Sequence, residues 1–144
     1  MNDMEKKQKG FTLIELIAVM IVVSIMSVTL FSRLGSISST NIQAGRDDLI
    51  SALFFAQQAA MARSNIQVVL TTNAVSVTEN GTAIIVHSKG YPLSFPSGVT
   101  TTANTFTYNK LGGIVGASSA TTITLTGTGG VSASVRLEAS GYAH

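Results

Sequence analysis

The hydrophobic pattern of the 144-residue chain changes character twice along its length. From residue 11 to residue 31, sixteen of twenty-one positions are apolar and Glu15 carries the only charge. A helix of that length reaches roughly 30 Å at about 1.5 Å per residue, which matches the hydrocarbon core of a bilayer. The run therefore predicts a membrane-spanning helix. Over residues 47–63 the apolar positions fall on one face instead. Leu49, Leu53, Ala56 and Ala60 recur at spacings of four, three and four, with Ile50, Phe54, Gln57 and Met61 one step behind. Asp47, Asp48, Ser51, Gln58 and Ala62 lie largely opposite, so this stretch reads as an amphipathic helix with one stripe turned to a core.

Residues 32–45, rich in Ser, Thr, Asn and Gly, join the two helical parts. Gly35 and Gly45 each cost about 1 kcal/mol relative to Ala inside a helix, and Thr40 with Gln43 fits a weak capping box from which a second helix could restart. No proline precedes Pro92, however, so one continuous helix over residues 11–64, on the order of 80 Å long, is the simpler expectation. Asn65 fits its stop.

After Asn65 the period drops to two. Residues 66–72, 74–78 and 83–87 read as strands, and Asn80-Gly81 between the last two signals a hairpin turn. Residues 89–98, which hold both prolines, read as a loop. Residues 106–109 read as a strand and 111–119 as a Gly-rich loop. A second hairpin is expected from residues 121–126 and 131–138 across Gly127 to Gly130. The fold class is thus α+β, a long N-terminal transmembrane and amphipathic helix packed on an antiparallel β-sheet of roughly five to seven strands. The helix supplies the core wall that about 80 residues of cysteine-free β structure lack.

Composition sharpens this picture. With 45% hydrophobic and 11% charged residues and a mean hydropathy of +0.39, the chain is far from the signature of disorder. Nine Lys and Arg against seven Asp and Glu give +2, but Lys6, Lys7 and Lys9 precede residue 11. Beyond residue 10 the balance is six against five, so the pI near 9.2 reports no basic nucleic-acid face. Lys89, Lys110 and Arg136 are too scattered for one, although Lys110 and Arg136 could meet in space. The flanking charges, three lysines before the apolar run and Arg33 after it, place the N-terminus in the cytoplasm and the rest across the membrane.

The one charge inside the apolar run carries the chemistry. Burying an ionised acid in a membrane costs on the order of 2.5 to 3.5 kcal/mol, so Glu15 is either at headgroup level or functional. The heptad Gly10-Phe11-Thr12-Leu13-Ile14-Glu15-Leu16, after a Lys-rich leader and before the apolar run, resembles the type IV prepilin signal. The resemblance implies cleavage between Gly10 and Phe11 by a membrane-embedded prepilin peptidase, N-methylation of Phe11, and a mature chain with Glu15 at its fifth position. Residues 1–10 are then a leader peptide, 11–31 the transmembrane and assembly helix, 32–64 its periplasmic continuation and 65–144 an antiparallel β globular domain. Many major pilins break their helix with a proline soon after the membrane segment, and this chain lacks one. The later pattern is similar to the globular domain of minor pilins and of the type II secretion H subunit.

Those resemblances imply a structural subunit of a type IV pilus or a type II secretion pseudopilus. Its partners are then other pilin or pseudopilin subunits, the prepilin peptidase, and the inner membrane with its assembly platform. The globular domain would be periplasmic, and the assembled filament periplasmic or at the cell surface. The alternative is a permanently anchored single-pass protein whose β domain binds a ligand or substrate by itself.

Enzymatic readings find little support in the residues. His87 and His144 are lone histidines without Cys or nearby acids, so no metal set is expected. After Glu79 the only acid is Glu138, which excludes a calcium loop. No Ser-His-acid constellation can be placed, and Gly127-Thr128-Gly129-Gly130 lacks the Lys of a phosphate loop. Asn80-Gly81-Thr82 has the form of a glycosylation sequon but is explained by its turn. No catalytic residue, cofactor or small-molecule substrate is expected.

Overall fold

The computed structural model describes residues 11–86 and 89–144, apart from the side chains of residues 28–37, 86 and 89. The chain divides into two compact units, Met1–Gly35 and Ser36–His144. A single helix, α1 (Leu13–Ala62), contributes to both and is unbroken at Gly35, Gly45 and the Thr40/Gln43 pair. It ends at Ala62, shortly before Asn65. Arg63 N donates to Ala59 O at 2.7 Å, and Asn65 takes a positive φ of 56°.

In the first unit every described residue from Phe11 to Ser27 is exposed. The predicted membrane segment continues to residue 31, so its last four side chains lie outside the described residues. Among the described residues no helix is long and apolar enough to cross a membrane.

The second unit is built on α1's amphipathic half. The expected stripe of Leu49, Leu53, Ala56 and Ala60 is buried, joined by Ile42 and Ala52. Of the neighbouring row, Ile50 packs partly buried against this core and Gln57 is half-buried, whereas Phe54 and Met61 are exposed. Gly45 has a packing reason for its place in a helix, since a Cβ there would meet Val99 Cγ1 at 3.1 Å. The backbone comes close to the opposing side chains at that point, and this offsets the low helix propensity of glycine.

The strands are β1 (Ile66–Thr71), β2 (Ala74–Glu79), β3 (Thr82–Ala83), β4 (Ile85–Val86), β5 (Lys89–Gly90), β6 (Leu93–Ser94), β7 (Thr100–Thr101), β8 (Asn104–Thr107), β9 (Thr121–Thr126) and β10 (Ser132–Leu137). The five-stranded sheet runs β3-β2-β1-β8, with β6 also on β2. A three-stranded sheet runs β10-β9-β7, and β4 pairs with β5 alone. All pairings are antiparallel. Both expected hairpins are present. Asn80 and Gly81, at φ 52° and 82°, turn β2 into β3, and Thr126 opposes Ser132 at the β9-β10 turn.

The expectation of one sheet is corrected to three among the described residues. Residues 100–107 supply strands to two of them: β7 pairs with β9, and two residues later β8 pairs with β1. The loop expected at 89–98 also contains β5 and β6. Each is two residues long, too short to show an alternation in the sequence. Alternation in the longer strands points Ile66, Val68, Leu70, Val75, Val77, Ile123, Leu125, Val135 and Leu137 at the helix stripe, so both larger sheets share one core.

Polar ties lock the loops to the helix. Gln57 Nε2 donates to Ser140 O at 3.0 Å and to Gly112 O at 3.4 Å, holding the Gly-rich loop and the C-terminal turn on α1. Beside them Tyr108 is 4% exposed, and its hydroxyl has no hydrogen-bond partner among the described residues. Desolvation raises its pKa above the ordinary 10. The raised folded-state pKa means that this group's contribution is complete below about pH 10 and is lost as pH climbs above that, because the unfolded chain ionises first. Tyr108→Phe is expected to leave neutral-pH stability unchanged or raise it by about 1 kcal/mol, since an unpaired buried hydroxyl is removed, and to flatten the alkaline limb. Urea denaturation at neutral and alkaline pH measures both effects.

Candidate functional site

The sequence places the chemistry at the start of α1, and the local structure there follows from four residues. Thr12 is the N-cap: Glu15 N and Leu16 N donate to Thr12 O at 3.1 and 3.2 Å. Glu15 N also approaches Thr12 Oγ1 at 3.4 Å, and Thr12 Oγ1 approaches Glu15 Oε2 at 3.5 Å, both long contacts. Thr12-Leu13-Ile14-Glu15 thus has the spacing of a capping box and its Glu15 N to Thr12 Oγ1 half, while the Glu15 carboxylate faces the Thr12 hydroxyl and not its backbone N–H; Glu15 is at the third helical position, where the positive end of the helix dipole favours a carboxylate. This use of Thr12 escaped the sequence reading, although the Thr-x-x-Glu spacing before an apolar run is its signal.

Beyond the cap the helix is apolar on all sides. Leu13, Ile14, Leu16, Ile17, Val19, Met20, Ile21, Val22, Val23, Ile25 and Met26 are all exposed. The two serines in this stretch donate into their own helix, Ser24 Oγ to Met20 O and Ser27 Oγ to Val23 O, each at 2.7 Å. Their hydroxyls therefore need no partner from a nonpolar surrounding. Glu15 is left as the charge on an apolar rod, and Phe11, 80% exposed, stands four residues before it. Gly10, the expected cleavage position, lies outside the described residues.

Residues 6–31 match the prokaryotic N-terminal methylation motif. The motif is typical of type IV prepilin-like proteins. It takes in the end of the Lys-rich leader, the Gly10-Phe11 junction, the Thr12/Glu15 cap and the apolar run that follows, and it stops where the amphipathic part of α1 has yet to begin. Searches of curated proteins and of solved structures each found no match. The methylation motif accordingly speaks for residues 6–31, and the β unit is known here by its fold.

The other residues weighed from sequence do not gather at this site. Asp47 is exposed and Asp48 half-buried on α1. His87 lies outside the described residues. His144 stacks on Tyr142 with ring centroids 5.4 Å apart. Arg136 Nε is paired with Glu138 Oε1 at 2.7 Å. Among the described residues no group of three or more potential metal ligands comes together. Asn80 is held from the helix end, its Oδ1 accepting from Asn65 Nδ2 at 2.8 Å and its N donating to Asn65 O at 3.1 Å, as its role in a turn requires.

Proposed function

We propose that the protein is a non-enzymatic structural subunit, a minor pilin or pseudopilin, of a type IV pilus or type II secretion pseudopilus. The methylation motif over residues 6–31 carries this reading, because it coincides with the stretch of α1 whose described side chains are all exposed. Before assembly the apolar run lies in the inner membrane with the β unit in the periplasm. The prepilin peptidase cuts after Gly10 from the cytoplasmic side, and Phe11 becomes the methylated N-terminus.

In the filament the run exchanges lipid contacts for contacts with neighbouring helices. Both surroundings are apolar, so the hydrophobic driving force nearly cancels and packing with electrostatics sets the order. The cleavage creates an α-amine with an ordinary pKa of about 7.7 to 8.0, which is cationic near neutral pH. Glu15 of one subunit meets that amine of the next. Each charge is costly alone in apolar surroundings and tolerable with the other, so the pair fixes register more than it adds stability.

Affinity purification of the tagged full chain from membranes tests the proposal. It should recover other pilin-like subunits and the assembly platform when the peptidase is present, and lose the filament subunits when it is absent. Recovery of the chain alone under both conditions contradicts the reading.

A further inference from the structure

The sequence around the start of α1 favours helix on both sides of a three-residue step. Leu13 and the residues after it are helical, and before Gly10-Phe11-Thr12 stand Glu5, Lys6, Lys7, Gln8 and Lys9, all residue types with good helix propensity. The helix nevertheless begins at Leu13, with Phe11 and Thr12 outside it. Thr12 marks the boundary. Its carbonyl accepts from Glu15 N at 3.1 Å and from Leu16 N at 3.2 Å, and its hydroxyl is approached by Glu15 N at 3.4 Å. The Glu15 side chain adds little to this stop. Its Oε2 is 3.5 Å from the hydroxyl, and the donor to the cap is a backbone N–H that every residue except proline supplies.

A helix that began earlier would change the state of the bond between Gly10 and Phe11. Phenylalanine is a poor N-cap and glycine an acceptable one, so the next stop before Thr12 is Gly10. The carbonyl of an N-cap accepts the first intrahelical hydrogen bond. With the start at Gly10, that acceptor is the carbonyl of the Gly10-Phe11 peptide itself. With the start at Thr12 the first acceptor lies two peptide groups further along, and Phe11 is 80% exposed.

Given the cut proposed above, we propose that Thr12 is a positioning residue for it, an N-cap that keeps the Gly10-Phe11 peptide out of the helix and open to the prepilin peptidase. In the cut, water adds to the Gly10 carbonyl carbon and the bond from that carbon to the Phe11 nitrogen breaks. Gly10 keeps the new oxygen as a carboxylate, and Phe11 leaves as an amine. The attack needs a defined approach to an open face of the carbonyl, which a carbonyl bonded into a helical turn does not offer. Thr12 touches neither the water nor the reacting carbon and acts through the place where the helix begins. The methylation motif over residues 6–31 spans the junction and the cap together.

The full chain and purified prepilin peptidase are combined in detergent micelles, and leader removal is timed by intact mass over a range of chain concentrations. Thr12→Val keeps the shape of threonine and loses the cap, whereas Thr12→Asn changes the shape and keeps the cap. Loss of the cap shifts the balance between the two helix starts about fivefold. Thr12→Val should therefore raise KM about threefold with kcat unchanged, because a smaller share of the chain presents an open junction. Thr12→Asn should be cut with the parental KM or a lower one. A parental KM for Thr12→Val overturns the assignment, as does a KM raised equally in both variants, which would show that the peptidase reads the shape of threonine. A parent chain left uncut removes the processing reading and this one with it, whereas a parent cut normally beside either contrary variant result removes this one alone.

Discussion

The Glu15→Leu variant is expected to be cut after Gly10 as the parent is, to sit in the membrane, and to be missing from filaments. The substitution preserves the length and raises the hydropathy of the helix, so the membrane insertion proposed above should not suffer. What disappears is the one carboxylate that a neighbouring α-amine could meet, leaving that amine unpaired in apolar surroundings at a cost of about 3 to 5 kcal/mol. A loss of that size is more than a hundredfold in incorporation. Glu15 also caps α1 with Thr12, and this complicates the reading of the variant. Thr12→Val separates the two roles: it weakens the cap by about 1 kcal/mol while keeping the charge, and should reduce incorporation far less than Glu15→Leu. Fractionation of sheared filaments against membranes, with both variants expressed at the parental level, measures the difference. Equal filament content for Glu15→Leu and the parent removes Glu15 from assembly.

Gly141→Ala should be the most damaging conservative change in the β unit. Gly141 has a φ of 84°, where an L side chain costs about 1 to 2 kcal/mol. A Cβ would also collide with the Gly112 carbonyl oxygen and stand 3.0 Å from Tyr108 Cε1 and 3.1 Å from Gln57 Nε2. The carbonyl belongs to backbone that Gln57 fixes, so relief means parting the Gly-rich loop from α1. A loss of about 3 kcal/mol or more is expected in urea denaturation of the full chain. Gly129→Ala has a comparable φ of 79° with nothing within 4 Å of its Cβ, and should lose only about 1 kcal/mol. A similar loss in the two variants would show that the approach of Gly141 to Gly112 does not constrain the fold.

The parts of this structure legible in the sequence are those whose cause is local. Asn80-Gly81 needs positive φ at both residues of its turn, a demand that few other dipeptides meet, and the hairpin is there. Leu49, Leu53, Ala56 and Ala60 repeat at helical spacing and are buried. Non-local causes were not legible. That β7 joins β9 while β8 joins β1 depends on how residues 102–103 turn in space, and both flanking runs are threonine-rich with no pattern that names a partner. Gln57 shares the helical spacing of an apolar row, and its actual role is invisible locally because its hydrogen bonds reach 55 and 83 residues along the chain. At the N-terminus the heptad from Gly10 to Leu16 lies within the methylation motif over residues 6–31, whereas the charge of Glu15 in an apolar run does not by itself disclose its contact with the Thr12 cap.

The central claim is that residues 1–10 are removed and the chain works from Phe11 onward. Intact-mass spectrometry of the chain purified from cells with an active prepilin peptidase tests it most directly. A mass equal to residues 11–144 plus one methyl group, located on the Phe11 amine by fragmentation, is the result predicted here. A chain that still carries Met1 to Gly10 in those cells contradicts it.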